Sequence, residues 1–483
     1  MKSALSFLAL QVLLNQANGT PLLARDRDYD SDHGCRVKYV VVLSIDGLHN
    51  SDVDKWLALG PSNISTLLET GYRYTDAYTT GPSDSFPGTL SAWTGANPKT
   101  TGVWYDDTYD RTYFAPIVYD ESIDYNSTQL FSGGINPANL PQTLINGKCT
   151  AVYPHARTRV NTAFEVVVRK GLKTAYTDKH PAYDLVRGPS GKGLSTGYFP
   201  EIAATDGKVP GTIAYDQLHV NALLDWFDGK DVANAEGSLG GKLPTLSGGN
   251  FQAVSVAQKT HGYVNGTLAF TDALKQAMTF VDASLGALVE KLKAKDIYDQ
   301  TLIVIASKHG QAPIDPAKFK DINPKNVTAA TGVKVAFQTS DDIALIFLAN
   351  QKDLHVAVAG LTARKADLKI SDIIYGQRLI DLHFGDPTKD PAVPDIIIVP
   401  QAGIIYTTSK SKIAEHGGLS DDDRHIAVFM SNPHLKKMAF GQRVYATQVA
   451  PTILGALGLN ANELDGVRAE RTEALPGFHN GRN

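Results

Sequence analysis

The run Val37 to Asp46 (VKYVVVLSID) constrains this chain most. It is apolar and β-branched almost throughout and lacks the alternation of a strand with one wet face. It therefore reads as a strand buried on both faces, the kind found inside parallel sheets. Phe251 to Ala257, Thr301 to Ser307, Ala344 to Leu348, Asp395 to Val399 and His425 to Met430 read the same way, and Lys173 to Tyr176 is a shorter strand. Thr271 to Lys293 places Leu274, Met278, Val281, Leu285 and Leu288 at helical spacing, and Thr447 to Leu457 is a second helix. Helix alternating with buried strand predicts an α/β fold, a doubly wound, mostly parallel sheet with helices on both faces. Ligands of such sheets lie at the C-terminal ends of strands. That rule selects Asp46, Ala257, Lys308-His309 and the loop around Asp178-Lys179-His180. Gly188 to Gly249 has little periodicity and reads as a loop-rich insertion or cap.

The N-terminus carries an address. Met1-Lys2 precedes an apolar run, Ala4 to Leu14, that is too short to span a bilayer, and Ala17-Asn18-Gly19 supplies small residues at a cleavage position. Residues 1–19 are thus expected to be a signal peptide, and the mature chain to be secreted (extracellular or in the secretory-pathway lumen) without a membrane anchor. Asn63, Asn126, Asn265 and Asn326 head N-glycosylation sequons. Cys35 and Cys149 are the only cysteines, and in an oxidising compartment a lone pair is expected to form a disulfide. A formal net charge of -4 argues against a cationic surface for duplex nucleic acid. The composition, 43% hydrophobic and 20% charged, excludes a disordered chain.

Four short clusters hold chemistry-bearing residues. Ser44-Ile45-Asp46-Gly47 puts an acid at a strand end, which suits a metal ligand or an ordinary turn. Ser85, in Asp84-Ser85-Phe86-Pro87-Gly88, stands just ahead of a helix, where free backbone N–H groups favour an anion; the alternative is an N-cap. Ser307-Lys308-His309-Gly310-Gln311 and Glu415-His416-Gly417-Gly418 each set a His-Gly pair beside a strand. Thr177 to Asp184 packs several ionisable and hydroxyl groups together and reads equally as a pocket wall or a polar turn. Asp421-Asp422-Asp423 reads as a solvated loop.

Taken in order, these segments resemble the alkaline phosphatase superfamily, in its type I phosphodiesterase/nucleotide pyrophosphatase branch. Val41 to Gly47 looks like the first metal-ligand strand of that family, Asp84 to Gly88 like its nucleophile motif, and Lys308-His309-Gly310 like its Asp-His-Gly. His416-Gly417 looks like the last His-Gly. The resemblance runs from about Val37 to about Leu459 and implies a catalytic domain over residues 37–460, with 188–249 inserted and 461–483 as a tail. It also implies two zinc ions, a covalent phospho-enzyme intermediate and a small phosphorylated substrate.

Asp46, Ser85, His309 and His416 match the family ligands. Lys308 stands where the family has Asp. Ala257 stands where it has another Asp, with His261 four residues on, and Asp106 stands where it has Asn. A lysine among carboxylates implies one divalent ion in place of two, held by Asp46, Ser85, His309 and His416. Lys308 would then hold substrate charge beside the nucleophile Ser85, and Asp106, Lys179 and His180 would bind substrate. Asp178, Asp184 and His261 stay open as further ligands. The expectation is a secreted, metal-dependent phosphoric-ester hydrolase. The alternatives are a one-metal or metal-free relative acting on a sulfate, phosphonate or natural-product ester, or a non-catalytic member. Oligomeric state is left open.

Overall fold

The structure, a computed structural model, describes residues 37–115, 117–123, 125–131 and 133–478. The expected signal peptide and Cys35 lie outside them. A nine-stranded sheet organises the chain. Its strands, in spatial order, are Glu236–Gly237, Thr196–Tyr198, Thr174–Thr177, Leu246–Phe251, Tyr39–Ile45, Thr301–Ala306, Val428–Ser431, Gly71–Tyr74 and Met438–Phe440. From Thr196–Tyr198 to Thr301–Ala306 neighbours run parallel. Tyr39–Ile45 is central, and Val40, Val41, Leu43 and Ile45 are buried, as its unbroken apolar run requires. The α/β class and mostly parallel sheet are as expected.

Several readings need correction. His425 to Met430 does contain a strand, but Val428–Ser431 runs antiparallel to Thr301–Ala306. Phe251 to Ala257 is not one strand. The strand is Leu246–Phe251, and helix Ala253–Thr260 begins two residues later. Its Ser-Gly-Gly-Asn interior hides it from an apolar-run criterion. The glycines answer to packing: a Cβ on Gly248 would stand 2.9 Å from the Trp93 ring and 2.9 Å from the Val42 carbonyl. Helix Ser85–Thr94, which carries Trp93, therefore sits directly on this strand.

Ala344–Leu348 and Ile396–Pro400 are strands but lie outside the main sheet. With Val335–Ser340 and Ile370–Tyr375 they form a separate four-stranded antiparallel sheet. One of its faces packs Ile346, Leu348 and Ile398 against Leu361. The other packs Leu345, Phe347 and Ile397 against Trp104 and Tyr109. Burial on both faces produces the same unbroken apolar run as a central parallel strand, so the sequence signal could not separate them.

Residues 188–249 do not cap the sheet. They supply the last two strands at one side of the sheet, Thr196–Tyr198 and the edge strand Glu236–Gly237, and the helix Val209–Phe227, which buries Val220, Leu223, Trp226 and Phe227 in the main core. Helix Asp272–Ala294, capped by Thr271, buries Leu274, Met278, Val281, Leu285 and Leu288 in the same core, as its spacing predicts. Leu464, Val467 and Leu475 are buried and Thr472 donates to the Gly95 carbonyl (2.6 Å), so the described part of the expected tail is packed structure. Among the described residues no helix is long and apolar enough to cross a membrane.

Candidate active site

Adjacent parallel strands end side by side and deliver the site residues. Asp46 follows Tyr39–Ile45, and its N–H donates to the Phe251 carbonyl (3.0 Å). Lys308-His309 follow Thr301–Ala306, Asp178-Lys179-His180 follow Thr174–Thr177, and Gln252 follows Leu246–Phe251. Ser85 is the first residue of helix Ser85–Thr94, and the N-cap position belongs to Asp84, so the Ser85 hydroxyl is not a cap. One turn on, a Cβ at Gly88 would come within 2.0 Å of the Lys308 carbonyl oxygen. Only glycine lets the helix press this close on the Lys308 turn. Thr79 Oγ1 donates to that same carbonyl (2.6 Å).

Two buried ammonium groups dominate the electrostatics. Lys308 Nζ lies 3.1 Å from Asp46 Oδ2 and 3.8 Å from Asp178 Oδ1, and donates to the Tyr183 hydroxyl (2.8 Å). Lys179 Nζ donates to Ser85 Oγ (3.2 Å) and lies 3.1 Å from Glu121 Oε2. Lys179 thus reaches the nucleophile candidate, while Lys308 reaches the acid at the end of the central strand. His180 Nδ1 lies 2.7 Å from Glu201 Oε1, and its Nε2 lies 3.4 Å from Glu121 Oε1. Burial lowers the His180 pKa, but Glu121 and Glu201 outweigh it and push it up to about 9. Burial likewise opposes the charge on Lys179, yet Glu121 and Asp46 raise its pKa, so it stays an ammonium. Burial raises the Asp46 pKa, but the Lys308 ammonium holds it well below the usual carboxylate range.

The two imidazoles stack at a centroid distance of 3.8 Å. Burial lowers both pKa values, so both rings are neutral. His309 Nδ1 lies 2.8 Å from the Gly310 carbonyl, which can only accept. This contact assigns the proton to Nδ1 and leaves the lone pair on Nε2, which has no hydrogen-bond partner and lies 3.6 Å from Asp46 Oδ2. His416 Nδ1 lies 3.0 Å from Asp84 Oδ1. Burial and Glu121 push the Asp84 pKa up to about 7, and burial lowers that of His416, so burial disfavours the charged form of both groups. Burial, Asp84 and Glu121 also hold the Asp106 carboxyl well above its ordinary pKa. The Asp106 N–H donates to Asp84 Oδ2 (2.7 Å), which fixes that loop beside the nucleophile.

The structure thus joins Asp46, Ser85, Lys308, His309, His416, Lys179, His180 and Asp178 in one linked constellation, with Asp106 at its margin. It excludes three residues. His261 is exposed at the end of its helix and hydrogen-bonds Thr260, Ala257 is sealed in the core, and Asp184 binds His155 and Arg187 instead. Glu121, Glu201, Gln252 and Asn250 carry no local signal in the sequence. Gln252 Nε2 donates to Asp46 Oδ2 (2.5 Å), and Asn250 Nδ2 donates to Asp178 Oδ1 (2.9 Å). Tyr183 lies inside the polar segment that sequence pattern flagged, whereas Glu121 lies in a loop with no periodic signal.

Residues 40–421 match the type I phosphodiesterase / nucleotide pyrophosphatase family, and the chain belongs to it. It is accordingly a hydrolase of the phosphodiesterase/pyrophosphatase class. No curated protein gives a significant sequence match. Among solved structures the chain is similar to murine ectonucleotide pyrophosphatase / phosphodiesterase 5, an inactive threonine-to-alanine variant in complex with AMP. The TM-score is 0.58 at 14% identity, over 88% of this chain and 96% of that chain. A second structure of the same murine protein gives the same values.

The family typically depends on divalent metal ions, and the donors present can be tested against one. The 3.6 Å between Asp46 Oδ2 and His309 Nε2 would suit two ligands of one ion. The same Oδ2, however, already receives Gln252 and faces the Lys308 ammonium. A dication about 4 Å from that ammonium would meet a repulsion of roughly 8 kcal/mol at an effective dielectric of ~20. The residues expected near a second ion, Ala257 and His261, are in the core and on the surface. Among the described residues no group of three or more His, Cys, Asp or Glu side chains is arranged to hold a metal. The donor set, including the expected Asp46, Ser85, His309 and His416, does not fit the implied ion.

The export marks are only partly covered. Cys149 is exposed, and its Sγ donates to Gln142 Oε1 (2.7 Å), while Cys35 lies outside the described residues. Asn265 and Asn326 are exposed and Asn126 is half-buried. Asn63 is exposed too, but its amide donates to Asp282 Oδ2 (2.9 Å).

Proposed function

We propose that this chain is a secreted hydrolase of small phosphorylated esters, of nucleotide type, with Ser85 as its nucleophile. The observation that carries the reading is the 3.2 Å hydrogen bond from the Lys179 ammonium to Ser85 Oγ, at the head of a helix. A cation and a helix N-terminus together lower the cost of an alkoxide and of the phosphoryl group it attacks. The AMP held by the murine relative supports a nucleotide-type ligand.

In this reading Ser85 Oγ attacks phosphorus, an O–P bond forms, and the bond to the leaving alcohol breaks. The Ser85 proton passes to His309 Nε2, a buried nitrogen with no hydrogen-bond partner, and then to the leaving oxygen. Water next cleaves the phosphoserine, regenerating Ser85 and releasing the phosphate product. Lys179 keeps its charge throughout, so it acts as an electrostatic partner and not as a base. Export rests on residues 1–19 and the exposed sequon Asn265. Ser85→Ala should abolish hydrolysis of a chromogenic phosphodiester by the secreted protein while leaving its circular dichroism unchanged. Activity retained in that variant would remove Ser85 from the role.

A further inference from the structure

Resting on that reading, we propose that Lys308 and Lys179 stand in for the family's metal ions, so that two fixed ammonium groups hold the phosphoryl oxygens and no divalent ion resides in the site.

The pairing of charges carries the argument. Every carboxylate at the strand ends already has a nitrogen partner of the chain: Asp46 has Lys308 at 3.1 Å, Asp178 has Lys308 at 3.8 Å, Glu121 has Lys179 at 3.1 Å and Glu201 has His180 at 2.7 Å. Lys308 serves two of them, so the three cations leave at most one of these four carboxylate charges to set against a dication, and buried charge without a partner is expensive. The ammonium groups are also placed where ions would work. Lys308 binds the acid after the central strand, and Lys179 binds the nucleophile. Tyr183, buried beside them, accepts from the Lys308 ammonium (2.8 Å).

Both lysines are held rigidly. Lys308 is 2% exposed and Lys179 is 6% exposed. The Lys308 turn is clamped by Thr79 Oγ1 on its carbonyl and by the close approach of Gly88. A long side chain fixed in this way has little rotamer entropy left to lose when an anion arrives. Ammonium–phosphate hydrogen bonds are of the strong, charge-assisted kind. No co-reactant beyond water is needed, because the lysines stabilise charge and do not exchange electrons or protons.

The test separates this inference from the hydrolase reading by measuring binding. Purified full-length protein is titrated calorimetrically with zinc, and separately with inorganic phosphate before and after dialysis against EDTA. The expected result is no stoichiometric zinc binding and phosphate binding that EDTA leaves unchanged. Lys179→Met should weaken phosphate binding by about tenfold or more, and Lys308→Asp, which restores the family carboxylate, should create a zinc site. Lys308→Arg keeps the charge if the other Lys308 variant fails to fold, and should retain phosphate binding. One or more zinc ions bound tightly by the wild-type chain, or phosphate binding that vanishes with EDTA and returns with zinc, would overturn the inference. Loss of turnover in Ser85→Ala bears on the nucleophile alone and leaves these binding results standing.

Discussion

Lys308 places its ammonium 3.1 Å from Asp46 Oδ2, and both side chains are almost wholly buried. The two follow neighbouring strands of the central sheet, and each neutralises what would otherwise be an isolated charge in the protein interior. This pair governs both how the site is held together and what it can bind.

Removing one partner should therefore cost far more than removing both. Lys308→Met leaves Asp46 uncompensated and is expected to destabilise the fold by about 3–5 kcal/mol. The double variant Lys308→Met/Asp46→Asn should recover a large part of that loss. Urea unfolding of the four members of the cycle measures it, and simple additivity of the two single changes would show that the pair is not coupled.

Lys179 acts on the nucleophile from the other side. Lys179→Met should lower kcat on a phosphodiester by roughly two to three orders of magnitude, the scale of losing one preorganised electrostatic donor. An effect confined to KM would mean that Lys179 only holds substrate.

His180 makes stability depend on pH. Its folded pKa of about 9 lies above the ordinary histidine value near 6.5. The stabilisation is fully present below about pH 6.5 and is lost as pH rises through about 9, with a total on the order of 3 kcal/mol. Thermal melts from pH 6 to pH 10 should show Tm falling across that window, and His180→Gln should flatten the fall. An unchanged slope in His180→Gln would assign the pH dependence elsewhere.

Gly88 tests the contact between the nucleophile helix and the Lys308 turn. A methyl group there would stand 2.0 Å from a backbone oxygen that Thr79 also holds. Gly88→Ala should cost about 1–3 kcal/mol and should also reduce kcat, because the shift moves Lys308 relative to Ser85. A variant with lower Tm but full kcat would show that the lysine's position tolerates the movement.

Much of the site was legible in the chain because strand-end positions are local. Asp46 announces itself as the acid that closes an apolar run, and Ser85, His309 and His416 fall in an order that resembles one family. Lys308 could be recognised as a departure from that order. Residues with no local signature were not legible. Gln252 was hidden because Gly248 and Gly249 break the apolar run of its strand, and Glu121 because its loop has no period. The strands of the second sheet read like those of the first, since burial on both faces writes the same pattern in either place.

The amino-acid sequence by itself determined the α/β class, the strand ends that carry chemistry, and a lysine at position 308 among the acids and histidines of those strand ends. Only the tertiary structure decided what that lysine pairs with. It brought Glu121, Tyr183 and Gln252 from distant segments to within hydrogen-bond reach of Lys179, Lys308 and Asp46. The physical reason is range. Periodicity and capping act over a few residues, whereas the pairing of a buried charge depends on whichever partner the whole fold brings within about 4 Å.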